Sequence, residues 1–303
     1  MYFIFLLLIC LLLLPSSSWS EKLFFLPKSL LIIPEESAVR IKWILTPESK
    51  EQAQRINSEK VKLVVDIKNE PVIVYENKLL VYPRSGYFIK LKEPVNDAIC
   101  LDSGVMLFSN GEIFGYLEIE KTQEPFPRGK LKAIAKLPIK NSHIFKGDET
   151  VYVSGFNGRT KKYEIYIFNN RSRSFEKLLS LDKPVYSISG KGNDVYLANG
   201  NVVFEYKKSK INHIYSHPRE EIKEIFYNEK VGLIYKTSNG IGIIKKDGAL
   251  EFLQTENPLV FLKGTSLFVF FPSVSAVAEL LNIDDLKNFS FSVLKIIDVH
   301  QTF

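Results

Sequence analysis

The chain has 303 residues, 46% of them hydrophobic, with a formal net charge of +6 and an isoelectric point near 9.0. The apolar content suffices for a sizeable core, and no stretch combines clustered Lys and Arg with spaced aromatics, so a nucleic-acid interface is not expected. Of the two cysteines, Cys10 lies inside the N-terminal apolar run, leaving Cys100 alone in the body; an intrachain disulfide in the mature chain and a cysteine-held zinc or iron–sulfur centre are excluded.

Residues 3–14 are uninterruptedly apolar and lead into Pro15, Ser16, Ser17, Ser18, Trp19 and Ser20. As a helix this run rises about 18 Å, short of the about 30 Å hydrocarbon layer of a bilayer. Ser18 and Ser20 flank Trp19 in the small-x-small pattern of signal-peptide cleavage before Glu21. The departure is an n-region without Lys or Arg; the alternative is an uncleaved anchor extended toward residues 23–26, which would place 16–22 in lipid. The expectation is a signal peptide over 1–20, export to the periplasm or the extracellular space, and no stable transmembrane segment after cleavage.

Residues 21–70 read as an N-terminal extension. Two short apolar runs, 23–26 and 30–33, each stop at a proline, and Val39, Ile41, Trp43 and Leu45 then alternate with polar residues at the period of a half-buried strand. Residues 47–57 are polar and rich in helix formers, with Thr46 placed to cap and Pro47 at the first helical position, which predicts a short helix. Residues 61–67 form another strand. One strand of this extension is expected to meet the C-terminal strand 289–297 in a single sheet.

From residue 71 onward the pattern repeats. Second strands anchored at Leu79, Val105, Val151, Val195, Val231 and Leu267 follow first strands at 72–75, 98–100, 143–145, 185–189, 222–226 and 259–262. The clearest unit has β-type runs at 222–226, 231–235, 241–244 and 249–253, with Asn239-Gly240 and Asp247-Gly248 in its separators. Such dipeptides readily adopt the positive φ of a tight hairpin turn. The unit before it has the same plan, at 185–189, 195–198, 202–206 and 211–215.

Residues 151–179 (VYVSGFNGRTKKYEIYIFNNRSRSFEKLL) run as an apolar strand, a Gly-bearing turn, an aromatic-rich strand, a polar turn and an aromatic before Glu-Lys-Leu. This unit resembles a kelch repeat, departing from it at the double glycine, here Ser154-Gly155, and at the usual Trp, here Phe175. The likeness is to β-propellers generally. Packing six such meanders radially buries their apolar faces and leaves only short edges. The fold expected is therefore all-β, a β-propeller of six four-stranded antiparallel blades over 71–303, completed by the extension at 21–70.

Catalytic chemistry is poorly signalled. His213 and His217, with Glu220 and Glu221, could share a strand face around a metal, but Pro218 breaks the segment and solvated loop histidines are expected. His143 and His300 stand isolated. Asp284/Asp285 and Glu220/Glu221 fall in predicted turns, Ser154-Gly155 and Ser189-Gly190 have no local base, and Gly190-Lys191-Gly192 is too short for a phosphate loop. No catalytic, cofactor-binding or metal-ligating residue is assigned, and no cofactor is expected. The reading is an exported, non-catalytic binding or scaffolding module for a protein or cell-envelope partner, an acidic one being favoured by the basic balance. The competing reading is a propeller hydrolase or lyase acting on a carbohydrate.

Overall fold

A computed structural model describes residues 22–26, 29–33, 39–43, 52–54, 61–67, 70–76, 79–82, 87–101, 106–120, 128–147, 150–169, 172–245, 248–263, 266–274, 276–281 and 290–296. The expected signal peptide lies outside them. Among the described residues the regular secondary structure is all strand apart from one 3-10 turn at Pro272–Val274.

The first sheet is a meander of β1 (Lys22–Leu26), β2 (Ser29–Ile33), β3 (Val39–Trp43) and β4 (Gln52–Gln54). The next meander comprises β5 (Val61–Ile67), β6 (Glu70–Tyr75), β7 (Leu79–Tyr82) and β8 (Tyr87–Leu91). It is followed by β9 (Asp97–Cys100), β10 (Met106–Ser109), β11 (Ile113–Glu120) and β12 (Arg128–Lys136). These two join into one eight-stranded sheet through a short parallel pairing of β8 with β12, Lys90 opposite Arg128 and Leu91 opposite Gly129.

Three further sheets keep the simple order. They are β13 (Lys140–Lys146), β14 (Val151–Asn157), β15 (Lys162–Asn169) and β16 (Ser174–Leu181); β17 (Ser187–Lys191), β18 (Asp194–Asn199), β19 (Val202–Lys207) and β20 (Lys210–Ser216); and β21 (Glu224–Asn228), β22 (Gly232–Lys236), β23 (Gly240–Lys245) and β24 (Gly248–Gln254). The last is β25 (Leu259–Lys263), β26 (Ser266–Phe271), β27 (Ala276–Leu281) and β28 (Ser290–Ile296).

The described residues thus hold seven four-strand meanders rather than the six expected. Two readings of the N-terminal part are corrected. Leu79 opens the third strand of its meander and 70–75 is the second, because 61–67 supplies the first. Ahead of it, runs 23–26 and 30–33 pair with each other, Phe24 opposite Leu31, and add a meander of their own. The expected helix over 47–57 is not what 52–54 form: Gln52 and Gln54 lie opposite Ile41 and Val39 in a ladder. A strand partner there outweighs intrinsic helix preference, which is worth only tenths of a kcal/mol per residue, about 0.7 at most for ordinary residues. The remainder of 47–57 lies outside the described residues. Among the described residues the joint sheet expected between the C-terminal strand and an N-terminal one is also not formed, since β28 pairs with β27 and the N-terminal strands belong to other sheets.

The chain divides into two compact units. One comprises Met1–Asn57, Ser238–Ile241 and Phe252–Phe303, the other Ser58–Thr237 and Gly242–Glu251. In the first, β1 lies against β25. In the second, the first strands β5, β9, β13, β17 and β21 lie side by side in succession. Within the second unit, the intervals between neighbouring meanders are filled by apolar side chains, as in the layer of Tyr152, Ile165, Leu179, Val185, Ile188, Val195 and Leu197 between β13–β16 and β17–β20. Burial of this kind, at about 25 cal/mol per Å², is what holds one meander to the next.

Candidate functional site

Polar side chains link successive first strands at one end. Asp97 Oδ2, at the start of β9, accepts the Ile144 N–H of β13 at 2.7 Å. Ser187 Oγ, at the start of β17, accepts the Ile225 N–H of β21 at 3.0 Å, and Ser189 Oγ accepts the Tyr227 N–H at 2.7 Å. His143 occupies the matching position of β13, beside Ile144, and makes no such bond to β17 among the described residues.

Where that link is missing, the layer between β13–β16 and β17–β20 opens into a pocket of about 310 Å³. Its walls come from three places. His143 of β13 and Ser154 of β14 are directly opposed in the ladder, and so are Phe156 of β14 and Tyr163 of β15. Opposed residues of an antiparallel pair share a face, which is how four side chains distant in sequence reach one cavity. The segment Pro184, Val185, Tyr186 leading into β17 closes the other side.

The sequence shapes this end locally. A bulge between Lys140 and His143 shifts the register of β13, and Asn141 inside it has φ 50°, the left-handed region that Asn tolerates better than most residues. Bulges re-aim side chains, and here Asn141 becomes part of the pocket lining. Ser154 is only 3% exposed, and its neighbours in this layer are apolar. Neither its hydroxyl nor the side-chain amide of Asn141 nor the Tyr163 hydroxyl has a hydrogen-bond partner among the described residues. Tyr186 is 55% exposed, the larger of two exposed big apolar side chains among the described residues.

Behind the pocket, His143 Nδ1 stands 3.9 Å from Asp97 Oδ2. Burial pushes the Asp97 carboxyl above its ordinary value, against the N–H groups of Ile144 and Ala98 and the nearby imidazole, which pull the other way. Asp97, His143 and Ser154 are residue types of a hydrolytic triad. Ser154 Oγ, however, is not within hydrogen-bonding distance of the imidazole, and a nucleophile needs its base in reach. In this geometry the Ser154 hydroxyl borders the cavity with no base in hydrogen-bonding reach.

The other polar clusters are paired among themselves. Glu164, 1% exposed, receives Asn157 Nδ2 at 2.9 Å, Tyr166 Oη at 2.7 Å, Lys177 Nζ at 2.5 Å and Thr160 Oγ1 at 3.3 Å. Burial opposes its charge, but the hydrogen bonds and the Lys177 ammonium outweigh that and hold the carboxyl at about 2. His217 is 5% exposed, not a solvated loop histidine as expected: Nδ1 accepts the N–H of Glu220 at 2.9 Å and caps the turn into β21. His213 is exposed, with Nε2 2.7 Å from Ser216 Oγ. Among the described residues no three His, Cys, Asp or Glu side chains group around a metal position. The basic turns are partly ion-paired, Lys191 with Glu229, Lys207 with Asp194 and Lys162 with Asp182, so much of their charge is locally balanced.

Of the pocket residues, the sequence had drawn attention to Ser154, as a serine without a base, and to His143, as an isolated histidine without a role. That the two are opposed is visible only once the β13–β14 register is known.

No family model matches the chain, and no curated protein matches it. Solved structures do. Virginiamycin B lyase from Staphylococcus aureus superposes with a TM-score of 0.59 at 14% identity, covering 85% of this chain and 94% of that one. Hsv2p of Kluyveromyces lactis gives 0.54 at 11% identity, over 88% of this chain and 94% of that one. The extracellular domain of a hybrid two component system from B. thetaiotaomicron gives 0.51 at 10% identity, over 86% of this chain and 38% of that one. These likenesses show the fold: the chain is an all-β propeller. Its structural neighbours include a lyase as well as an extracellular domain of a two component system, so the fold leaves the activity open. Among the described residues no helix is long and apolar enough to cross a membrane.

Proposed function

We propose that this protein is an exported β-propeller acting as a non-catalytic binding module for a protein or cell-envelope partner, with the pocket between β13–β16 and β17–β20 as its recognition site. The observation that carries this reading is the gathering of the Ser154 hydroxyl, the His143 imidazole and a half-exposed Tyr186 around one cavity. Polar groups lining a cavity can orient a ligand, and exposed aromatic anchors mark contact surfaces. The serine is not bonded to a base, which favours binding over turnover. The net charge of +6 favours an acidic partner through long-range steering.

The test pairs capture with turnover. Purified mature protein is incubated with an envelope extract, and separately with glycan, ester and phosphoester substrates. The expected result is specific capture that weakens as salt is raised, with no turnover. Turnover abolished by Ser154→Ala or His143→Ala would establish the enzyme instead.

A further inference from the structure

We infer that the pocket is a subsite for a single neutral sugar ring, presented by a glycan of the partner; this rests on the recognition reading above. Its volume of about 310 Å³ stands at the small end of ligand sites, which run from about 300 to 1,000 Å³. That is room for one ring and its substituents.

The lining selects the ligand by charge. Apart from the imidazole of His143, no ionisable cation or carboxylate borders the cavity. A phosphate or carboxylate would find no Lys or Arg there, and desolvating an unpaired anion is costly. A metal cation would find no free carboxylate, since Asp97 spends Oδ2 on the Ile144 N–H and Oδ1 on the Ala98 N–H. The occupant is therefore neither an anion nor a metal cation.

It must also be amphipathic. Phe156 and Tyr163 form one aromatic wall, their ring centroids 5.3 Å apart and tilted by 59°. Pro184, Val185 and the exposed Tyr186 form the other. Between them lie three short polar groups without partners or at the rim, namely the Ser154 hydroxyl, the Asn141 amide and the His143 imidazole. A wholly apolar ligand would leave the Ser154 hydroxyl unpaired when water is expelled, at a cost of about 1–3 kcal/mol. A pyranose meets both demands, because its C–H face packs on an aromatic ring while its hydroxyls give and take hydrogen bonds at the edge. A tyrosyl side chain of a peptide has one hydroxyl to offer three polar groups and fits less well.

The experiment is isothermal titration of the purified mature chain with methyl glycosides of glucose, galactose and N-acetylglucosamine, and in parallel with N-acetyl-tyrosinamide. The expected result is that at least one glycoside binds, that Tyr186→Ala weakens it at least tenfold with an unchanged melting temperature, that Tyr186→Trp restores it, and that Ser154→Ala costs about tenfold, the loss of one buried hydrogen bond. Binding of the tyrosyl probe but of no glycoside overturns the sugar assignment and leaves the recognition reading standing. Capture of an envelope partner undiminished in Tyr186→Ala, with no glycoside bound, overturns the subsite and places recognition elsewhere. Glycoside cleavage that Ser154→Ala abolishes overturns both.

Discussion

The Tyr152 hydroxyl donates a 2.9 Å hydrogen bond to the Gly192 carbonyl, tying β14 to the turn between β17 and β18. Thr150 adds a second tie, its Oγ1 accepting the Gly192 N–H at 3.1 Å. The two meanders that open around the pocket at one end are thus fastened at the other. A Cβ placed on Gly147 would lie 2.5 Å from Gly190 O and 2.7 Å from Tyr152 Cε2. Only a residue without a side chain lets the two turns come this close.

Tyr152→Phe should therefore lower unfolding stability by about 1 kcal/mol, the usual net value of a hydrogen bond. Gly147→Ala should cost more, about 2–3 kcal/mol, because its clash is partly with backbone, which cannot swing aside. Urea midpoints of the two variants check the order, and a Gly147→Ala midpoint equal to wild type would show that the turns are not in contact.

Glu164 makes stability depend on pH. Its carboxyl is held at about 2 in the folded chain against 4.5 ordinarily, so the unfolded chain takes up the proton first on acidification. The stabilisation is present in full above pH 4.5 and is lost as pH falls from there toward 2. Its size is about 3 kcal/mol at roughly 1.4 kcal/mol per pH unit of displacement. Melting of wild type and Glu164→Gln should differ by a constant amount near neutrality and converge in acid. A gap that does not narrow below pH 4 would contradict the network.

Ser187→Ala should leave the Ile225 N–H without its acceptor in a position that is 3% exposed. A buried donor left unpaired costs about 1–3 kcal/mol. Amide hydrogen exchange at Ile225 is expected to accelerate while exchange at Ile144, which is held by Asp97, stays as it was. Ser187→Thr keeps the hydroxyl and should protect Ile225 nearly as well as serine.

Export is tested at the N-terminus. Cleavage after Ser20 should leave Glu21 as the first residue of the secreted protein, readable by N-terminal sequencing. Recovery of Met1 in a membrane fraction would show an uncleaved anchor instead.

What the sequence by itself determined was local. Apolar runs bounded by Gly-bearing turns predicted 195–198, 202–206 and 211–215, and the structure has β18, β19 and β20 there within a residue or two at their ends. The same was true of the C-terminal strand expected over 289–297, where the structure has β28. Strand, turn and meander follow from side-chain alternation and the φ preferences of a few residues, both of which act between near neighbours. Tertiary structure alone decided the rest. Residues 52–54 became a strand because β3 offered them a ladder. His217 became a buried cap because the turn into β21 folded over it. The pocket exists because the Asn141 bulge set the register that places His143 opposite Ser154, and because the next meander brought Tyr186 alongside. A register is set by pairing and by packing across sheets, and shifting it by one residue turns every side chain to the other face. No local pattern in the chain encodes that choice.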